Sequence, residues 1–300
     1  MDKMPNKFFR FAALVIVLFF LSLIPASAEP RYGGTLRWRM DSLPQTLDPA
    51  SATFMTSMRT LSLCGEALVG LQKDGRSIAP LLAESWETNR NSTVWTFQLR
   101  QGVTFQKTGA KGKPTANGGR ELVAADVKYS LERLVRKHSP RIYFLNQVRG
   151  FQEFWDGRTK EWEGIEVLND HTVRFTLSIP YAPFLAALSY VSFCIVPHED
   201  AEDDSFQLFP VGTGPFIVRD WQEDRIVLER NPDYWIHDTN GRTLPYLDGV
   251  ELISIPESPD AVTAFQNASI DVLPDVPSTL RSTFEGKEGY QSRASLLTCY

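Results

Sequence analysis

Apolar and polar residues alternate at period two through Val94-Trp95-Thr96-Phe97-Gln98-Leu99, the pattern of a strand with one buried face. Shorter segments of the same kind predict strands at Thr35 to Arg39, Gly164 to Leu168, His171 to Leu177 and Val191 to Val196. More follow at Phe216 to Arg219, Ile226 to Glu229, Val250 to Ile255 and Ile270 to Leu273. Asn169-Asp170 joins the second and third of these as a tight hairpin. A helical period takes over in five places. Residues 52–63 carry Phe54, Met58 and Leu61 on one side, and Ala182 to Leu188 is a short apolar helix. A helix from about Ala124 places Val127, Leu131, Leu134 and Val135 on one face, with Asp126 in its first turn, where the helix dipole favours a carboxylate. Ser258-Pro259 reads as N-cap and first-turn proline of a helix through about Asn267, and Thr279 to Phe284 is helical. Residues 43–49 are loop, and residues 106–120, rich in Gly, Lys, Thr and Asn, form a polar surface loop that the fold can lose. Strands and helices mix without strict alternation, so the class is α/β to α+β with a mixed sheet.

The amino terminus follows another rule. Lys3, Lys7 and Arg10 make a basic head, Phe11 to Leu21 is unbroken apolar, and Ala26-Ser27-Ala28 supplies small residues after Pro25. That is a secretory signal with cleavage after Ala28, too short for a spanning helix. No cysteine stands at the cleavage point, so the expected address is the periplasm, without a lipid tether.

The chain has 300 residues, 43% apolar and 22% charged, enough for about two domains. Its formal charge of −5 argues against nucleic acid as a partner. Cys64, Cys194 and Cys299 are too few for a disulfide scaffold, and their pairing stays open between one disulfide and separate buried thiols.

Signs of catalysis are weak. There is no Gly-x-Ser-x-Gly elbow and no His-Glu-x-x-His, and His138, His171, His198 and His237 are scattered. His198-Glu199-Asp200 could be part of a metal site, but adjacent side chains point apart, so a solvated loop or helix start is the better account. Glu84 and Asp126 read as local capping or packing carboxylates. Gly212-Thr213-Gly214 lacks the lysine of a phosphate loop. It reads as a turn into the next strand, with glycines that tolerate positive φ and Pro215 fixing the exit. Trp86, Trp95, Trp221, Tyr234 and Trp235 could stack on a ligand, but packing is the expected role.

Three blocks occur in order. They are Leu82-Ala83-Glu84-Ser85-Trp86-Glu87 with Trp95 to Phe105 and Ala124 to Arg133; then Gly212 to Phe216 with Arg225 to Trp235; then Pro245 to Val250 leading to Ile270-Asp271-Val272. Together they resemble the family 5 extracellular solute-binding proteins, the oligopeptide- and dipeptide-binding components of ABC importers. The resemblance implies a type II periplasmic-binding-protein fold, whose two lobes close over a ligand. It implies first-lobe core at residues 29–45 and 181–275, an inserted small domain at 46–180, and the start of a second lobe at 276–300. The chain stops inside the apolar run Ser295 to Tyr300, so the expectation is a truncated second lobe. The implied partners are a small solute, foremost a peptide, and an inner-membrane ABC permease. The protein is expected to be a monomer without cofactor or catalysis. Binders of nickel chelates, haem or sugars, and a periplasmic hydrolase on the same scaffold, are the alternatives. The expected ligand walls are loops that follow strands, at Ser42, Leu43, Pro44 and Gln45 and at Leu273, Pro274 and Asp275, with Tyr300 as a cleft aromatic.

Overall fold

A computed structural model describes residues 30–72 and 74–285. The signal segment, Cys299 and Tyr300 lie outside the described residues.

From Gly33 onward the chain builds two four-stranded sheets and a short hairpin. The first sheet has the order β1-β10-β9-β8. It comprises β1 (Thr35–Met40), β8 (Phe216–Trp221), β9 (Arg225–Arg230) and β10 (Gly249–Ser254). β1 runs parallel to β10, with Thr35 opposite Gly249 and Met40 opposite Ser254, and the other pairings are antiparallel. Val272 adds a single parallel bridge to Trp38 on the outer side of β1. The second sheet, β4-β5-β7-β6, is wholly antiparallel. It is made of β4 (Ala83–Thr88), β5 (Val94–Leu99), β6 (Ile165–Asn169) and β7 (Thr172–Thr176). β2 (Val69–Leu71) and β3 (Ile78–Pro80) pair with each other.

The helices among the described residues are α1 (Met55–Cys64), α2 (Ala124–Arg136), α3 (Phe151–Trp155), α4 (Phe184–Leu188), α5 (His198–Ala201) and α6 (Ser258–Gln266). The mixed α/β class agrees with the sequence pattern. α2 begins where Asp126 at its third position accepts the Val123 N–H at 2.9 Å, satisfying one amide that the helix cannot. Its stripe of Val127, Leu131, Leu134 and Val135 is fully buried.

Two apolar cores result. One gathers the second sheet, α2 and α4 around Phe97, Phe105, Trp162 and Phe175. The other packs α1 against the first sheet through Leu61, Cys64, Val218, Leu228 and Leu252. Phe184, Phe193 and Ile195 belong to the former core, whereas Leu47, Ala52 and Leu61 belong to the latter.

Several local expectations are corrected. Val191 to Val196 is not a strand: a 3-10 turn at Val191–Phe193 leads into extended backbone, held by Ile195 N–H to the Glu66 carbonyl at 2.9 Å and Val196 N–H to Ser130 Oγ at 2.9 Å. Its side chains are buried almost throughout, and a continuous apolar run looks the same whether it is strand or buried coil. Ile270 to Leu273 contributes only the Val272 bridge, and the helix expected at 279–284 is a 3-10 turn over Ser278–Thr283. The 106–120 loop is not a free surface loop. Gln106 is fully buried and donates to the carbonyls of Gly214 and Phe216, and Arg120 forks onto Asp126 at 2.8 and 2.7 Å.

Candidate functional site

The parallel pairing brings three chain exits to one end of the first sheet. β1 ends at Met40 and releases residues 41–54, β10 ends at Ser254 beside it, and Val272 leads out to Leu273, Pro274 and Asp275. In open α/β sheets the carboxyl ends of parallel strands are where ligand crevices form. Arg39 ties this end together. Its side chain is only 5% exposed, and it donates from Nε to the Ile255 carbonyl at 2.9 Å and from Nη2 to the Pro256 carbonyl at 3.0 Å. The Arg39 backbone N–H donates to the Val272 carbonyl at 3.1 Å, and Ile255 N–H donates to the Met40 carbonyl at 2.9 Å. Two residues earlier on β1, Arg37 forks onto Asp271 at 3.1 and 2.8 Å, which holds the Asp271 carboxyl below its ordinary range.

The structure therefore places residues 42–45 and 273–275 at the same sheet end. Ser42 and Gln45 are exposed, Leu43 is half-buried against the second core, and Pro44 is buried. Leu273 and Pro274 are half-buried, and Asp275 is exposed.

The loop that starts at Asp41 continues into residues the sequence reading placed elsewhere. Phe54 is 62% exposed and Met55 beside it opens α1, also toward solvent. Arg141 Nη2 donates to the Thr53 carbonyl at 3.2 Å, linking this point to a 3-10 turn at Ile142–Leu145. In that turn Ile142 and Leu145 are buried while Tyr143 and Phe144 face out, because side chains three apart eclipse in a 3-10 helix. Phe144 stacks on Tyr190 with ring centroids 5.3 Å apart. Exposed large apolar side chains gathered this way mark a surface that expects a partner or ligand. In the sequence Phe54-Met55 and Tyr143-Phe144 are adjacent apolar pairs, and nothing local separates them from Leu134-Val135, both of which are buried.

The loop is fixed from behind. Asp48 accepts Ala50 N–H at 2.9 Å and the Arg133 guanidinium at 2.7 and 2.8 Å, and Thr46 Oγ1 donates to the Gln207 carbonyl at 3.2 Å.

At the opposite end of the first sheet, Glu66 is a buried carboxylate, 6% exposed. It accepts Thr213 Oγ1, the Tyr234 hydroxyl and Trp235 Nε1, each at 2.8 Å. Burial pushes its pKa up, against the pull of these three donors. Tyr234 and Trp235 are thus committed to structure, as are Trp86, Trp95 and Trp221, which pack on the two cores. Gly212 and Gly214 serve the same junction, but not through positive φ, which neither has. A Cβ on Gly214 would lie 2.6 Å from the Cys64 carbonyl carbon, so close backbone approach is what demands glycine. His198-Glu199-Asp200 opens α5 and anchors the 106–120 loop. Glu199 takes the Arg120 guanidinium at 2.6 and 2.9 Å, and Asp200 accepts the N–H groups of Ala116 and Asn117 at 2.7 and 3.1 Å.

Residues 77–299 match the model of the bacterial extracellular solute-binding proteins, family 5 (middle region). A Pseudomonas aeruginosa protein named di/tripeptide-binding protein 2 is 31% identical over 243 residues, covering 77% of this chain and 43% of that protein. Among solved structures, the periplasmic binding protein DppA of Helicobacter pylori in complex with the peptide STSA superposes with a TM-score of 0.66 at 30% identity. That match covers 81% of this chain and 46% of the other. The Escherichia coli murein tripeptide binding protein MppA shares the fold, with a TM-score of 0.71 at 22% identity over 86% of this chain and 48% of its own. The chain spans less than half the length of the relatives it matches.

Proposed function

Because the chain belongs to the bacterial extracellular solute-binding proteins, family 5, we propose that it works as the capture component of an ABC importer and takes up short peptides. One observation carries this reading. The loop that leaves β1 at the carboxyl end of a parallel sheet pair runs on to the outward-facing Phe54 and Met55, and Arg141 links it at Thr53 to the turn that exposes Tyr143 and Phe144. That is the composition of a cleft wall: apolar area for side chains, and backbone groups at strand ends for a peptide main chain. Ser42, Leu43, Pro44, Gln45, Leu273, Pro274 and Asp275 form its rim, and Phe54, Met55, Tyr143 and Phe144 extend it. Tyr300 belongs to the same wall on this reading.

Ligand between two walls stabilises the closed form, which the permease then recognises. No chemistry is performed. Residues 46–180 act as the inserted small domain on a first-lobe core of 29–45 and 181–275, and residues 276–300 begin the second lobe. Residues 1–28 direct export to the periplasm, where the protein acts as a monomer.

The supporting resemblance to proteins named for di- and tripeptides makes those the first ligands to test. Calorimetric titration of the full chain with a di- and tripeptide library should give binding that weakens at least about tenfold, or 1.4 kcal/mol, in a Phe54→Ala/Met55→Ala variant. Peptide affinity unchanged by that variant would refute the wall assignment, and the absence of any peptide binding would refute the peptide reading.

A further inference from the structure

We infer that a groove at the other end of the first sheet is a second, independent binding site for a free α-amino acid zwitterion. The groove has a volume of about 800 Å³, within the size range of small-molecule sites. It runs between the residues just after β5 and the turn that follows β9, with Glu84, Arg100, Lys107, Asp233, Trp235 and His237 on its walls. β9 ends there at Arg230, beside the amino end of β10, so this groove and the three strand exits lie at opposite ends of one sheet.

Its charges are what point to the ligand. Lys107 and Asp233 face each other at 3.0 Å and satisfy one another. Arg100 and Glu84 remain. Arg100 is anchored by its backbone N–H to the Leu82 carbonyl at 2.9 Å, by Nε to the Leu81 carbonyl at 2.7 Å, and by stacking 5.2 Å over the Trp235 ring. Its two terminal nitrogens have no partner among the described residues. A guanidinium fixed at its neck, with its fork left open, is preorganised for a carboxylate.

Glu84 is the complement. Ala83 pairs with Leu99 and Ser85 with Gln98, which leaves Glu84 as the extra residue of a β-bulge. Bulges of this kind re-aim a side chain out of the sheet's alternation. The Glu84 carboxylate is exposed, and it has neither an ion-pair nor a hydrogen-bond partner among the described residues, Arg100 included. One groove thus holds one unpaired cation and one unpaired anion, which is the mirror of a molecule carrying an ammonium and a carboxylate on neighbouring atoms. The Trp235 ring, held through Nε1 by Glu66, is the apolar wall on which the Arg100 guanidinium lies.

The test is calorimetry on the full chain with three probes: L-leucine, L-leucinamide, which lacks the carboxylate, and N-acetyl-L-leucine, which lacks the ammonium. Leucine should bind at millimolar concentration. Both derivatives, and leucine against Glu84→Gln or Arg100→Gln, should bind at least about fivefold more weakly. Glu84→Gln is the decisive variant because its side chain is exposed, and circular dichroism checks that Arg100→Gln remains folded. Peptide affinity should not move in Glu84→Gln, and leucine affinity should not move in the Phe54→Ala/Met55→Ala variant, which separates this site from the proposed cleft. Absence of leucine binding, equal binding of the three probes, or leucine affinity unchanged in Glu84→Gln would overturn the inference.

Discussion

Arg133 and Asp48 meet fork to fork, with Nη1 on Oδ1 at 2.7 Å and Nη2 on Oδ2 at 2.8 Å. One sits in the last turn of α2 and the other in the loop that leaves β1. The guanidinium also donates to the Ala201 carbonyl at 2.7 Å, so a single buried cation joins the loop, α2 and the end of α5.

Removing one partner should therefore cost more than the pair itself contributes. Asp48→Ala removes both bonds of the fork and leaves the buried guanidinium only the exposed Glu202 carboxylate, 3.3 Å from Nε, and the expected loss is about 3 kcal/mol in urea denaturation. The double variant Asp48→Leu/Arg133→Met should recover part of that loss, because no lone charge is then buried. A double variant less stable than Asp48→Ala would contradict the account.

The approach of Gly214 to Cys64 gives a second expectation. Gly214→Ala forces backbone against backbone and should destabilise by about 1–3 kcal/mol or more. Gly70→Ala is the comparison, since its Cβ would make an ordinary 3.5 Å contact with the Leu81 side chain. That change should stay within about 0.5 kcal/mol. Equal melting temperatures for the two variants would remove close approach as the reason for glycine.

Glu66 predicts a pH dependence with a definite sign. Burial raises its pKa in the folded protein, so the folded state holds the proton more tightly than the unfolded chain does. Stability from this group is therefore complete below the ordinary Glu value of about 4.3 and is lost as pH rises through the raised folded value. Glu66→Gln has no proton to lose. Measured at successive pH values from acid to neutral, the stability of the variant relative to the parent should rise with pH. A constant difference would show that the three donors balance desolvation, and a falling one that they outweigh it; either overturns the raised value.

Cys64 and Cys194 should be chemically silent in the native state. Burial pushes the Cys64 thiol up to about 12, and Cys194 is also raised well above its ordinary value. Iodoacetamide at mildly alkaline pH should leave both unlabelled by mass spectrometry until denaturant is added. Rapid native labelling of either would mean that the core around α1 opens readily.

Much of the fold was legible because it is local. The Val94 to Leu99 alternation, the hairpin near Asn169-Asp170 and the apolar stripe of α2 are each set within a dozen residues, and each forms as the pattern predicts, with the hairpin turn one residue later, at Asp170-His171. What was not legible depends on distant residues. Nothing near Thr35 says that its neighbour is Gly249, or that Val272 flanks Trp38. Gln106 reads as a loop glutamine, yet it is buried because the carbonyls of Gly214 and Phe216 arrive to meet it. Phe54 fitted the apolar side of a helix, but the helix starts one residue later and leaves it outside. The candidate wall was half legible for the same reason. Residues that follow strands can be read from the strands, whereas residues that bulge outward between buried neighbours need the packing to reveal them.

β1 and its neighbours in the sheet are far apart in sequence: Thr35 lies opposite Gly249, and Trp38 bridges Val272. Leu36, Trp38 and Met40 have no surface to settle on until residues 249–254 exist, while the sheet between Ala83 and Thr176 closes over shorter spans of chain. Pairing over such separations is slow. The sheet end proposed to receive a solute therefore takes shape later than the sheet between Ala83 and Thr176.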